Sequence, residues 1–236
     1  MPPRTRKSER RTEALSRERI VETAVELLDT TGEGSLTFRA LTERLATGAG
    51  AIYWHVANKD ELLGAATDAV VAAALAAEPA RTQGTPQDEI RAVALGLFDA
   101  IDKHPWLAAQ LATQLAYSPW KSVTLRILES IGQQIRALGV PEAGWFTATS
   151  ALVHYIFGAA GQNAANTARA RTLKPDVDRD GYLGAVSAAW DELDPADYPF
   201  TRAVAGQVRR HDDREQFLAG VDLILTGITT VHPPAG

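Results

Sequence analysis

The chain has 236 residues, 45% of them hydrophobic and 22% charged, with a net charge of −5 and no cysteine. That composition is ordinary for a globular protein long enough to bury a sizeable core, and it contains no apolar run approaching the roughly 18 residues of a membrane span. Without thiols, disulfide frameworks and thiolate metal sites are excluded. The opening stretch, residues 1–11, is basic but lacks the apolar segment of a secretory signal, so a cytoplasmic protein is expected.

Charge is unevenly spread. Residues 1–15 carry Arg4, Arg6, Lys7, Arg10 and Arg11 against Glu9 and Glu13. Residues 1–63 balance ten basic with ten acidic side chains, which leaves the whole −5 on residues 64–236. A basic arm beside a neutral segment can lay cations on phosphates, whereas the acidic remainder is repelled by them and should face away.

Nearly every segment repeats its apolar residues at the helical period and none alternates convincingly, so the fold class is all-α. The first helix starts after Ser16, places Ile20, Ala24, Leu27 and Leu28 on one face, and stops at Gly32 and Gly34. The second starts at Thr37, with Leu36 able to pack on Leu41 as a hydrophobic staple. Ala46-Thr47-Gly48 then permits a sharp turn into a brief third helix whose inward residues are Ala49, Ile52 and Val56. Asn58 caps a fourth helix, and Glu61 three residues later can return the capping bond. That helix runs to about residue 78, before linker-like composition over residues 79–85. Further helices are expected over residues 87–103, 106–117, 120–138, 142–169, 182–193, 200–211 and 214–230, with a charged loop over 172–181. Three regions follow: an arm over residues 1–15, a helix-turn-helix domain over 16–63, and a larger helical domain over 64–236.

The second and third helices form a helix-turn-helix, the arrangement that presents a helix to a DNA major groove. Away from the inward set lie Ala51, Tyr53, Trp54 and His55, whose aromatic edges and ring N–H groups can reach phosphates or bases. Lys59, at the start of the fourth helix, can meet a phosphate oxygen. The series Leu36-Thr37-x-Arg39-x-Leu41-x3-Leu45, followed by Ile52-Tyr53-Trp54-His55-Val56-x-Asn58-Lys59-x2-Leu62-Leu63, resembles the DNA-binding domain of the TetR family of bacterial repressors. The resemblance implies DNA contacts from Thr37, Arg39, Tyr53, His55 and Lys59, with Trp54 added. Gly48, Ala49, Gly50 and Ala51 depart from it, because they stand where longer polar side chains are usual. Few side chains there can bond base edges, so readout should draw on Arg39, Tyr53, the backbone amides of Gly48, Ala49 and Ala51, and the arm in a minor groove.

Beyond residue 63 the resemblance rests on the helix pattern, the His104-Pro105-Trp106 turn and the closing segment 220–227, which are similar to tetracycline-repressor-like C-terminal domains. The last helix and the helix from Glu142 are apolar on two sides, the latter with one row through Trp145, Thr149, Leu152 and Ile156 and a second through Phe146, Val153 and Phe157. Such helices need two partners, which implies a four-helix interface in a homodimer. Phe98, Gln114, Tyr117, Trp120, His154 and Gln162 gather aromatic and polar groups on the middle helices, the lining a small-molecule pocket requires. The resulting expectation is a ligand-responsive regulator, most simply a repressor that a small molecule releases from a palindromic double-stranded DNA operator. The alternative is a helical small-molecule-binding protein whose N-terminal domain is only structural. Asp176-x-Asp178-x-Asp180-Gly181 opens like a calcium loop, but Ser187 stands where a bidentate glutamate is required. No zinc, phosphate-loop, dinucleotide or nucleophile-elbow motif is present, so neither an enzyme nor a cofactor is expected.

Overall fold

A computed structural model describes residues 15–76, 84–173 and 179–233, with the side chains of residues 169–173 also left undescribed. The arm up to residue 14, most of the linker-like stretch, and Asp176 and Asp178 lie outside the described residues. Among those described there are eleven α-helices, one short 3₁₀ turn and no strand. The chain divides into two compact units between Ala66 and Thr67.

The first unit contains α1 (Arg17–Thr31), α2 (Phe38–Leu45), α3 (Ala49–Tyr53) and the start of α4 (Lys59–Ala76). Each start follows from a cap where a side chain is placed to supply one. Ser16 accepts a bond from the Arg19 amide, Thr37 from the Ala40 amide, and Asn58 Oδ1 from the Glu61 amide at 2.8 Å. The returning Glu61 carboxylate takes the Ala57 amide, one residue earlier than the reciprocal bond expected from sequence. Gly32 ends α1 at φ 74°, a left-handed conformation that favours glycine. Ile20, Ala24, Leu28, Leu36, Leu41, Ile52, Val56 and Leu62 form the core of this unit. Ala49, expected to face inward, is exposed: it is the first residue of a five-residue helix, and the buried face begins at Ile52.

The second unit is organised around α8 (Glu142–Leu173), which packs against α5 (Pro86–Lys103), α6 (Trp106–Tyr117), α7 (Ser122–Ala137) and α11 (Asp213–Val231). α9 (Arg179–Asp191) and α10 (Pro199–Val208) pack on each other. The core draws Ile90, Leu97 and Ile101 from α5, Leu107 and Leu111 from α6, Ile127 and Ile131 from α7, Leu152 and Ile156 from α8, and Val221 and Leu225 from α11. Thr85 and Asp88 form a complete capping box at the start of α5. α7 starts two residues later than expected because Ser118–Lys121 closes a turn, with the Lys121 amide on the Ser118 carbonyl. Both ends of the loop expected over 172–181 are helical: α8 continues to Leu173 and α9 opens at Arg179, so Asp180 and Gly181 lie in a helical first turn. Of the second apolar row on α8, Phe146 is exposed and Val153 is buried. The exposed face of α8 instead runs through Phe146, Ala151, His154 and Gly158. No described helix is long and apolar enough to cross a membrane.

Candidate nucleic-acid interface and effector cavity

Ile52 and Val56 are fully buried, and they anchor α3 and the turn after it from beneath. The hydrogen bonds continue past the helix, with the Trp54 amide on Gly50 and the Val56 amide on Ile52. The intervening side chains are therefore turned outward: Tyr53 is 53% exposed and Trp54 88%. Tyr53 lies flat on Phe38, with ring centroids 4.4 Å apart and planes 10° from parallel. That stack fixes the end of α3 beside the start of α2, and it brings Tyr53 near the two residues that flank Phe38, Thr37 and Arg39.

The remaining polar residues differ in how free they are. Thr37 commits its hydroxyl oxygen to the Ala40 amide, capping α2. Arg39 is strongly exposed, and its bond to Glu43 at 2.9 Å raises the affinity of its guanidinium for its proton. Such a solvated pair is easily exchanged for a phosphate. Lys59 is half-buried and its Nζ donates to the Glu33 carbonyl at 2.8 Å, clasping the turn after α1. His55 is half-buried, while Gly48, Ala49 and Ala51 are exposed. A Cβ at Gly48 or Gly50 would meet nothing within 4 Å, so neither glycine is required by packing inside this unit.

In the second unit a cavity of about 280 Å³ opens between α5, α8 and the start of α11. Phe98 comes from α5, and Tyr155, Ala159, Gln162, Asn163 and Asn166 come from α8. His211 and Asp213 stand where α11 begins, followed by Gln216 and Phe217. Three rings form a cluster: Phe98 and Phe217 are 4.6 Å apart, and Tyr155 stacks on Phe217 at 5.8 Å. Burial pushes the Tyr155 phenol up, so it stays protonated and donates to the Phe217 carbonyl at 3.1 Å. Asp213 takes the Arg179 guanidinium on one side and His211 Nε2, at 2.8 Å, on the other.

Of the six residues singled out from sequence, Phe98 and Gln162 line this cavity. Gln114 is buried on α6 with its Oε1 lacking a hydrogen-bond partner among the described residues. Tyr117 and Trp120 are 77% and 72% exposed, and His154 is exposed on α8. The cavity residues that sequence reasoning passed over had a partial signal. Tyr155, Ala159, Gln162 and Asn166 share one helical row, but nothing local connects that row to His211 or Phe217.

Residues 20–66 match the family model described as bacterial regulatory proteins, tetR family, and residues 78–232 match the tetracyclin repressor-like C-terminal domain. An HTH-type transcriptional regulator of Saccharopolyspora erythraea is 33% identical over 155 residues, 66% of this chain and 64% of its own length. The alignment thus spans just under two thirds of that relative. A solved structure of the transcriptional regulator SCO7222, a TetR from Streptomyces coelicolor, is 67% identical, covers 92% of this chain and 99% of its own, and superposes with a TM-score of 0.84. A BioQ solved with its natural double-stranded DNA operator is 25% identical, covers 84% of this chain and 99% of its own, and has a TM-score of 0.57. With one match on the helix-turn-helix and another over most of the remaining helices, the chain belongs to the TetR family of bacterial regulatory proteins.

Proposed function

We propose that the chain is a homodimeric transcriptional regulator that grips a palindromic operator through α2 and α3 and lets go when a small molecule fills its second unit. The observation that carries this reading is the pair Tyr53 and Trp54, held outward by a buried Ile52 and Val56. Large aromatic surface exposed beside a cationic Arg39 marks an interaction site better than it marks a core. The similar fold of BioQ, solved with its double-stranded DNA operator, supports DNA as the partner. The dimer rests on Phe146 of α8 and Leu223 of α11, which are 78% and 75% exposed on helices whose other faces are already packed. Two copies joined there present two recognition helices, which calls for operator half-sites about 34–36 Å apart or a multiple of that. For release, the molecule must bind the DNA-incompetent arrangement more tightly than the competent one.

The test is selection of bound fragments from random duplex DNA by the full chain at a fixed salt concentration. Enrichment of one near-palindrome supports the reading, and an unenriched pool rejects it. Removing residues 1–15 should weaken binding to the selected site and flatten its salt dependence, because fewer counterions are then released. Tyr53→Ala combined with Lys59→Ala should abolish binding; full retention would favour a purely structural N-terminal unit.

A further inference from the structure

The cavity between α5, α8 and α11 has a chemistry specific enough to name a class of ligand. We propose that it binds an uncharged, planar aromatic molecule carrying a hydroxyl group, and that His211 accepts that hydroxyl's hydrogen bond. This rests on reading the second unit as the effector-binding part of the regulator.

Among the described residues Asp213 is the one acidic group lining the cavity, and both Arg179 and His211 already hold it. A cation would have to displace Arg179, and an anion would meet Asp213 with no uncommitted cation among the described lining residues. A neutral ligand avoids both penalties. The hydrogen-bonding pattern follows from the same carboxylate. An ionised Asp213 can only accept, so His211 Nε2 carries the proton it donates at 2.8 Å. A ring that keeps its proton on Nε2 offers Nδ1 as its acceptor, and the complement of that acceptor is a donor such as a phenolic or enolic hydroxyl. Tyr155 has no proton left to donate to His211, because its hydroxyl proton goes to the Phe217 carbonyl.

Shape comes from the walls. Phe217 is stacked on Tyr155 and tilted 34° against Phe98, so the apolar wall is aromatic and favours a flat partner in offset or edge contact. Along α8 the row continues as Ala159, Gln162 and Asn166: a small residue that leaves room, then two carboxamides able to bond carbonyl or hydroxyl groups on the ligand's edge. A volume of about 280 Å³ suits roughly two or three fused rings, at the small end of ligand sites.

The probe pair is 2-naphthol and 2-methoxynaphthalene, which share a ring system and differ in the donor, titrated into the full chain at neutral pH by calorimetry. Wild type should bind naphthol saturably, one per chain, and the methyl ether about tenfold more weakly, the worth of one buried hydrogen bond. His211→Phe should bring the two affinities together, and Ala159→Phe, which fills the cavity, should abolish both. If Ala159→Phe fails to give a cooperative melt, the His211→Phe comparison decides alone. Equal affinities for the two probes in wild type, no saturable binding, or binding lost in Gln114→Leu but intact in His211→Phe would each overturn the assignment. Selection from duplex DNA on the same preparation separates the two readings. An enriched operator without naphthol binding rejects the cavity and leaves the regulator standing; the reverse result supports the cavity and rejects the regulator.

Discussion

Trp54 shows how little a side chain's type says about its place. On periodicity it suits a small helical core as well as a surface, yet it sits at the C-terminal end of α3 with 88% of its surface open. Removing it should therefore leave the melting temperature almost unchanged while weakening operator binding, since exposed substitutions outside special sites shift stability by no more than about 0.5 kcal/mol. A large loss of stability in Trp54→Ala would return the residue to the core. Gly50 makes the complementary case. Its φ is not positive and a Cβ there meets nothing within 4 Å, so Gly50→Ala should stabilise the fold by roughly 0.5–1 kcal/mol, readable in urea unfolding. If operator affinity falls at the same time, the glycine serves close approach to DNA rather than the fold.

At the scale of the helices, capping was legible in detail and inter-helix fit was not. Asn58 and Glu61 stand in a sequence pattern that announces a helix start, and the folded bonds follow with Glu61 on the Ala57 amide, whereas the Thr85–Asp88 box lies where the sequence reads as linker and helix without that cap. The Thr85 hydroxyl and backbone amide hold the Asp88 carboxyl below its ordinary value, and the Ala57 amide does the same for Glu61. Both groups regain their ordinary affinity for protons when the chain unfolds. Their stabilisation is thus complete above the ordinary carboxylate range and disappears as pH falls through the lowered folded values. Asp88→Asn should accordingly lose less thermal stability than wild type when taken from about pH 7 to about pH 3, because it has no carboxylate there to protonate. Gly220 shows what capping rules miss. A Cβ at that position would overlap the hydroxyl end of Tyr155, so α8 and α11 approach closely only because residue 220 has no side chain. Gly220→Ala should destabilise the second unit by about 1–3 kcal/mol, as overpacking does, and adding Tyr155→Ala should recover part of that loss. Simple additivity of the two substitutions would show that the helices can separate freely.

For the whole molecule the decisive surface is the one α8 and α11 leave open. If Phe146 and Leu223 meet a second copy, Phe146→Arg with Leu223→Arg should yield a monomer by light scattering and lose operator affinity steeply, because one half-site no longer tethers the other. A dimer that survives both charges would place the interface elsewhere. The sequence pattern that suggested this surface was only half right. Val153 is buried although it shares a sequence row with the exposed Phe146, since a helix as long as α8 changes neighbours along its length among α5, α6, α7 and α11.

By itself the sequence determined the all-helical class, the order of the helices, most of their caps and the helix-turn-helix, because period and capping act over a few residues and are written locally. Tertiary structure alone decided which aromatic side chains are buried. It joined Phe98 to Phe217 across more than a hundred residues, left Tyr117 and Trp120 in solvent, and set His211 against Asp213 at a helix start. Those outcomes depend on which faces meet once the helices pack, and no spacing along a single helix encodes that.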